Sequence, residues 1–158
     1  MSLDKIQTYP NSDVKILPGD ILYSSIGKST YYVGHITIVG PNYNIIESIP
    51  GEPSGHILTA SQFWRRHHTG DRITLLRSNF GAEKAAQWAL ENVQFVKKYT
   101  VLNYQLKTIE NNYCSKFILQ AYYYGANYKL TPFLNWLIPP QAFKYMRSLE
   151  KVAIFIKT

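Results

Sequence analysis

The chain has 158 residues, of which 46% are hydrophobic and 17% charged, a composition that excludes a disordered protein. Its length suits a single domain, residues 1–158, built around one core. The formal net charge of +7 favours anionic partners, namely an anionic membrane surface, a cell-wall polymer or nucleic acid, without choosing among them. Because the basic residues are scattered and no arginine-rich helix is present, we do not expect nucleic-acid binding.

No signal for export or membrane insertion is found in the sequence as written. No stretch approaches the roughly 18 apolar residues that a membrane span requires. Residues 1–18 also lack the apolar core of a signal peptide. We therefore expect a cytoplasmic chain, or an exported one if a signal was removed from its N-terminus.

Three short strands are predicted between the turn signals of the first fifty residues. They cover residues 21–24, 35–39 and 43–48, which are rich in β-branched and apolar side chains. Pro41 and Asn42 leave only a short connection between the last two strands, which predicts an antiparallel hairpin. Alternation in the middle strand places His35, Thr37 and Val39 on one face.

The rest of the chain adds helices to these strands. Alanine and valine at i, i+3, i+4 and i+7 predict a helix over residues 82–96. The other predicted elements are strands near 72–76 and 152–156, and helices near 61–66, from Cys114 onward and near 141–149. Because strands and helices are segregated and do not alternate, the predicted fold class is α+β.

Cys114 is the first candidate for chemistry. It is the single cysteine, so an internal disulfide and a multi-cysteine zinc site are excluded, and we expect no metal and no other cofactor. It lies in the first turn of a predicted helix, after Asn111 and Asn112, which can cap that helix. The N-terminus of a helix favours a thiolate and can hold an oxyanion. The alternative is a cysteine that only packs beside Phe117 and Ile118.

His35 and Glu47 are the candidates for the groups that assist this cysteine. A thiolate nucleophile needs a base on a rigid element, and His35 begins a predicted strand. Glu47 lies on the partner strand of the hairpin, where it can reach the imidazole and fix its tautomer. The alternatives are a structural histidine and a solvated carboxylate. His56, in a predicted loop, is a weaker candidate for the base.

Five segments occur in a characteristic order. They are Pro18-Gly19-Asp20-Ile21-Leu22, Gly34-His35-Ile36-Thr37-Ile38-Val39, Ile45-Ile46-Glu47, Asn103-Tyr104 and Tyr113-Cys114-Ser115. Together they resemble the YiiX/YebB-like group, the circularly permuted branch of the NlpC-type papain-like cysteine hydrolases. The order His, Glu, Cys marks this branch, because the unpermuted enzymes place the cysteine first. The resemblance covers residues 17–125.

The resemblance implies a papain-like α+β fold in which an antiparallel sheet or barrel packs against helices. It implies a cysteine-dependent hydrolase or acyltransferase that cleaves an amide or ester, with Cys114 as nucleophile, His35 as base and Glu47 as the residue that orients the base. Tyr104 matches a tyrosine that lines the site and assists the oxyanion. The implied substrate is a lipid-like acyl compound or a cell-wall peptide.

Three positions depart from the pattern of this group. Gly34 replaces a serine before the histidine, Ser48 replaces an alanine, and Lys116 replaces a glutamate two residues after the cysteine. None of these changes removes a catalytic group, and a lysine near a thiolate favours the ionised form. The alternative function is a catalytically weak binding module of the same fold, holding a lipid or an anionic cell-wall polymer.

Overall fold

The computed structural model describes residues 7–24 and 34–158. The strands are β1 (Ile21–Ser24), β2 (His35–Val39), β3 (Ile45–Ser48), β4 (Gly55–Leu58), β5 (Arg72–Ser78), β6 (Lys98–Tyr99), β7 (Asn111–Asn112) and β8 (Leu149–Ile156). The α-helices are α1 (Ala60–Arg65), α2 (Ala82–Asn92) and α3 (Cys114–Gln120). Two 3-10 turns cover Val93–Phe95 and Pro140–Tyr145, and a π-helical segment, Ala121–Gly125, continues α3.

Six strands form one antiparallel sheet in the order β4-β3-β2-β1-β5-β8, while β6 and β7 form a separate parallel pair. The outer strands β4 and β8 do not pair with each other, so the described residues form an open sheet. The predicted α+β class, with an antiparallel sheet packed against helices, is therefore confirmed, and the alternative of a barrel is wrong. That residues 1–158 form one domain stays a prediction.

The central strands contribute to two hydrophobic clusters. In one cluster, Ile36 and Ile38 of β2 pack with Phe117 of α3. In the other, Val39 of the same strand packs with Phe63 of α1. Since successive side chains of a strand point to opposite faces, α1 and α3 cover opposite faces of the sheet. A site built from both helices must therefore lie at an end of the strands.

The Gly19-Asp20 pair at the start of β1 anchors the sheet to its neighbours. Asp20 is buried and accepts two hydrogen bonds from Arg77, at 2.7 Å from Nε and 2.9 Å from Nη2. Gly19 has φ +88°, and a Cβ there would lie 2.3 Å from the carbonyl oxygen of Ala82, the first residue of α2. Tyr122 also donates a hydrogen bond to the Gly19 carbonyl at 2.8 Å. These two residues therefore have a structural role.

Several elements differ in extent from their predictions. The strand predicted from residue 43 begins at Ile45, because Tyr43 has a left-handed backbone (φ 65°) in the turn closed by Gly40 and Asn44. The helix predicted over 82–96 ends at Asn92, after which a 3-10 turn takes over. The strands β4, β6 and β7 were not predicted.

Candidate active site

The strands β2 and β3 lose their pairing towards one end, where the candidate site lies. Their pairing ends at Ile38 and Ile46, whereas β2 stays paired with β1 as far as His35. Glu47 follows Ile46 directly, so both candidate residues lie beyond the last pair between β2 and β3, while His35 still pairs with β1 and Glu47 with β4. The absence of pairing there leaves room for a group from another element between the two strands.

His35 and Glu47 form a buried pair in this opening. The Nε2 atom of His35 lies 2.8 Å from Oε1 of Glu47. Burial by itself lowers the pKa of His35, but hydrogen bonding and charge from Cys114 and Glu47 raise this pKa to about 9. The imidazole in this environment is therefore protonated at neutral pH.

Cys114 adjoins the other side of the imidazole. It is the first residue of α3 and is 2% exposed. Since Nε2 of His35 is directed to Glu47, Nδ1 is the nitrogen available to the thiol. Nδ1 is buried and has no hydrogen-bond partner of ordinary geometry in the described chain. Cys114 nevertheless contributes to the raised pKa of His35, so the thiol neighbours the ring without making an ordinary hydrogen bond to it. Catalytic hydrogen bonds are often loose before a substrate binds. The structure thus brings the three residues together.

Gly34 has a local reason for its place before His35. Its φ is +78°, and a Cβ there would lie 2.7 Å from the carbonyl oxygen of Ser24 on β1. A serine at this position would therefore be strained. The departure from the family pattern at residue 34 matches the backbone that delivers His35 to the site.

Arg66 is a member of the site that the sequence did not reveal. It follows α1 as its C-cap residue, and its Nη2 atom donates a hydrogen bond to Oε1 of Glu47, the oxygen that also faces His35. Burial would raise the pKa of Glu47, but His35 and Arg66 together lower it. The buried carboxylate is thus held in its charged form by two partners, of which Arg66 is partly exposed.

Tyr99 is the second member that the sequence did not reveal. It pairs with Asn112 in the short β6–β7 ladder, which ends two residues before Cys114. Burial raises the pKa of Tyr99, and the charge and hydrogen bonding of Cys114 raise it further, which makes Tyr99 a neighbour of the thiol. The predicted Tyr104 is exposed and lines a groove with Leu102 and other residues of the loop before α3. Its role stays a prediction.

The polar side chains of α3 fasten the preceding loop. Lys116 is fully buried, and its ammonium donates to the carbonyls of Asn103 at 2.8 Å and Asn111 at 2.7 Å. Burial lowers the pKa of Lys116 to about 8. Gln120, one turn further along, donates to the carbonyls of Leu106 at 2.8 Å and Thr108 at 2.9 Å. The lysine that departs from the family pattern is therefore used to hold backbone.

The asparagines before α3 do not cap it as predicted. The N-cap residue is Tyr113, and it makes no capping hydrogen bond with its side chain. Asn112 is instead fully buried, and its amide donates to Gln120 Oε1 at 2.7 Å. The expected caps fail because Asn112 is drawn into the network that fixes the loop.

His56 and His67 bind backbone carbonyls and do not pair with Cys114. His56 is exposed on β4, opposite Glu47 in the β3–β4 register, and its Nε2 atom bonds to the carbonyl of Pro53 and not to a residue of the site. His67 is buried against the Phe63 carbonyl, and burial lowers its pKa. Within residues 7–24 and 34–158, no group of three or more His, Cys, Asp or Glu side chains is arranged to hold a metal ion. No helix of the described chain is long and apolar enough to cross a membrane.

Comparison with known proteins agrees with the resemblance predicted from the motifs. The fold is similar to that of YiiX from Escherichia coli O157:H7, a protein described as a metalloprotein, with a TM-score of 0.54. The two chains are 13% identical, over 86% of this chain and 96% of YiiX, a likeness that concerns the fold alone. None of the curated proteins matches the chain. A family model described as "lipoprotein N-acylation protein LnsA-like" matches residues 2–146. The chain therefore belongs to this LnsA-like family.

Proposed function

We propose that the protein is a cysteine-dependent acyltransferase of the permuted NlpC-type, papain-like kind, which takes an acyl group from a lipid ester. The observation that carries the proposal is the buried arrangement in which His35 has Glu47 on one nitrogen and Cys114 near the other. The family name, which refers to lipoprotein N-acylation, supports an amine as the acceptor. With water as acceptor the same chemistry is that of a hydrolase.

In the proposed resting site, His35 already holds the proton of the Cys114 thiol. The thiolate then attacks the ester carbonyl, and the tetrahedral intermediate collapses to a thioester on Cys114 while His35 gives its proton to the departing alcohol. In the second half, an amine attacks the thioester, His35 accepts the amine proton, and the thiolate leaves. The raised pKa of His35 supports the ion-pair form of the resting site.

Glu47 and Arg66 are proposed to set the state of the base. A carboxylate on Nε2 holds the ring so that Nδ1 faces the sulfur, and it stabilises the imidazolium. Arg66 compensates the negative charge of Glu47, which would otherwise be buried beside a neutral imidazole in part of the cycle. Both residues act through His35 and do not contact the substrate.

Tyr99 is the proposed donor to the oxyanion, together with the backbone N–H of Cys114 at the start of α3. A hydroxyl beside the sulfur is close to the position where the carbonyl oxygen of a bound ester becomes negative. The proximity of Tyr99 to Cys114 supports this role. For Tyr104, the exposed position is compatible with contact to a substrate further from the sulfur.

The first test is to capture the acyl-enzyme. The protein is incubated with phosphatidylglycerol vesicles, quenched in acid and analysed by intact-mass spectrometry. We expect one acyl adduct on Cys114 that hydroxylamine removes, as a thioester requires. His35→Ala should give no adduct, whereas His68→Ala, which removes an exposed histidine, should give the adduct of the parent protein. An adduct of equal yield in His35→Ala would contradict the mechanism.

The second test is the rate of Cys114 alkylation by iodoacetamide as a function of pH. Because burial slows the reagent equally at all pH values, the position of the inflection reports ionisation. We expect the inflection in the parent well below the roughly 8.5 of a free thiol, and its return towards that value in His35→Ala.

A binding module of the same fold is the second candidate function. The observation in its favour is that Cys114 is 2% exposed, as expected for a packed, inert thiol. If the parent protein forms no acyl adduct and its alkylation has no inflection below that of a free thiol, the module, holding a lipid or an anionic cell-wall polymer, is the better conclusion.

A further inference from the structure

Five large apolar side chains are exposed near one another on the C-terminal half of the chain. We call them the aromatic surface: Tyr124, Phe133, Trp136, Leu137 and Tyr145. Trp136 is 66% exposed and Tyr145 is 80% exposed. Exposed tryptophan and phenylalanine side chains are unusual on soluble proteins unless the surface binds something.

The aromatic surface is continuous, because four of its five members line two adjoining cavities. One, of about 570 Å³, is lined by Tyr124 and Trp136. The other, of about 750 Å³, is lined by Phe133 and Tyr145. The two cavities share Lys129 and Pro132, and the rings of Phe133 and Trp136 are 5.9 Å apart.

The charged residues that line the two cavities in the described part of the chain are all positive. Residues 111–149 contain three lysines and one arginine and no aspartate or glutamate. Of these four cations Lys116 is buried, and Lys129 and Arg147 line the cavities. The Nζ atom of Lys144 lies 4.8 Å from the ring centroid of Tyr23 and 5.8 Å from that of Tyr145. Lys107 lines the first cavity as well.

Direct contacts connect the aromatic surface to the candidate active site. The hydroxyl of Tyr113 accepts a hydrogen bond from the backbone N–H of Ile138 at 3.3 Å, and Tyr113 immediately precedes Cys114. The side chain of Asn135 accepts from the N–H of Leu106 at 3.1 Å, and the Leu106 carbonyl is held by α3. The segment that carries Phe133 and Trp136 is thus fixed to the start of the nucleophile helix.

We propose that the aromatic surface docks the protein on an anionic membrane, with the aromatic side chains at the level of the headgroups and the flanking cations on lipid phosphates. Aromatic rings with a polar tip, flanked by lysine and arginine, suit a membrane interface. The cores of protein–protein interfaces are instead depleted in lysine. The inference rests on the proposed function in one respect, because it identifies the membrane as the source of the acyl donor.

The test is sedimentation of the protein with vesicles of phosphatidylglycerol or of phosphatidylcholine. The double variant Phe133→Ala/Trp136→Ala should lose affinity for anionic vesicles by roughly a hundredfold, as expected when two large side chains no longer leave water. Lys129→Gln should lose about fivefold, on the anionic vesicles only. The matched control is Phe95→Ala, since Phe95 is 51% and Phe133 54% exposed, and it should bind as the parent does.

A second measurement avoids truncating the surface. Trp64 is buried and Trp88 is partly buried, so the exposed Trp136 dominates the change in fluorescence when vesicles are added. A blue shift in the parent that is lost in Trp136→Phe supports docking through this residue. Equal loss of binding in Phe95→Ala, or equal binding to both vesicle types, overturns the proposal. Cys114→Ala should bind vesicles like the parent, because docking does not depend on the chemistry. A parent protein that docks on anionic vesicles but forms no acyl adduct contradicts only the proposed function.

Discussion

Two buried carboxylates of this molecule each bind an arginine, yet they are used differently. Asp20 accepts from Arg77, from the hydroxyl of Tyr9 at 2.7 Å and from the backbone N–H of Leu17 at 3.0 Å. None of these donors titrates near neutral pH, because the pKa values of Tyr9 and Arg77 are both raised and a backbone amide does not ionise. The Asp20 cluster is therefore a fixed structural connection between the N-terminal segment and the sheet.

Glu47 differs because one of its two partners titrates. Its Oε1 atom is shared between Arg66 and His35, and the pKa of His35 is raised to about 9. A proton can thus leave or enter at the imidazole while Arg66 keeps the carboxylate charged. The comparison teaches that a buried acid–arginine pair is by itself structural, and that a histidine in contact with a thiol is what makes such a pair a candidate for catalysis.

The largest effect is expected for Asp20→Ala, on the free energy of unfolding. Asp20→Ala leaves Arg77 and Tyr9 without their acceptor, and removal of one partner of a buried ion pair costs about 3 kcal/mol in the free energy of unfolding. Urea denaturation measures this loss. Asp20→Asn, which keeps the shape and part of the hydrogen bonding, should lose less. If Asp20→Ala is as stable as the parent, the Asp20 cluster does not contribute to stability, and its structural role is contradicted.

The second effect is expected on the catalytic side. Glu47→Gln should lower the rate of acyl-adduct formation by roughly a hundredfold, because the amide orients the ring less well and does not stabilise the imidazolium. The pH profile separates this from a loss of structure. In the parent the rate should fall as the pH rises through about 9, where His35 loses its proton. Without the carboxylate the pKa of His35 is lower, so the fall should begin at lower pH.

The pH dependence of stability provides an independent control for the shift in the pKa of His35. The pKa of His35 is raised on folding from an ordinary 6.5 to about 9. Its contribution to the free energy of unfolding is therefore fully present below about pH 6.5 and is lost as the pH rises through about 9. Thermal melting of the parent should show this loss and Glu47→Gln should show less of it. A pH profile identical in the two proteins would contradict the link between Glu47 and His35.

The part of the site that could be predicted is the part encoded in short-range pattern. The β-branched segment between Gly34 and Gly40 identified β2, and the short connection after it placed Glu47 near His35 across a hairpin. The position of Cys114 at the start of a helix was likewise readable from sequence. The meeting of α3 with the hairpin was not, because it depends on packing between residues far apart in the chain.

The residues that were missed have no local signal. Tyr99 is one of 13 tyrosines and lies in a strand of two residues that exists because it pairs with Asn112. Arg66 lies in a basic run that resembles a solvated surface, and only the packing of α1 on the sheet brings it to Glu47. The strand β4 is an edge strand without alternation, and its pairing with β3 defines it. In each case a tertiary contact decides the outcome.

The smallest effect is expected for Arg66, whose side chain is partly exposed. Water can replace much of what a partly exposed guanidinium supplies, so Arg66→Gln should cost well under about 1 kcal/mol in the free energy of unfolding. Its effect on the reaction should be larger than this, since the charge on Glu47 is what supports the imidazolium. The matched control is Arg65→Gln, an exposed neighbour on α1. If acyl-adduct formation slows by several-fold in Arg66→Gln and is unchanged in Arg65→Gln, the arginine belongs to the Glu47 pair. If acyl-adduct formation is equally fast in the two variants, Arg66 is a surface residue without a role in the reaction. His35 is then the one functional partner of Glu47.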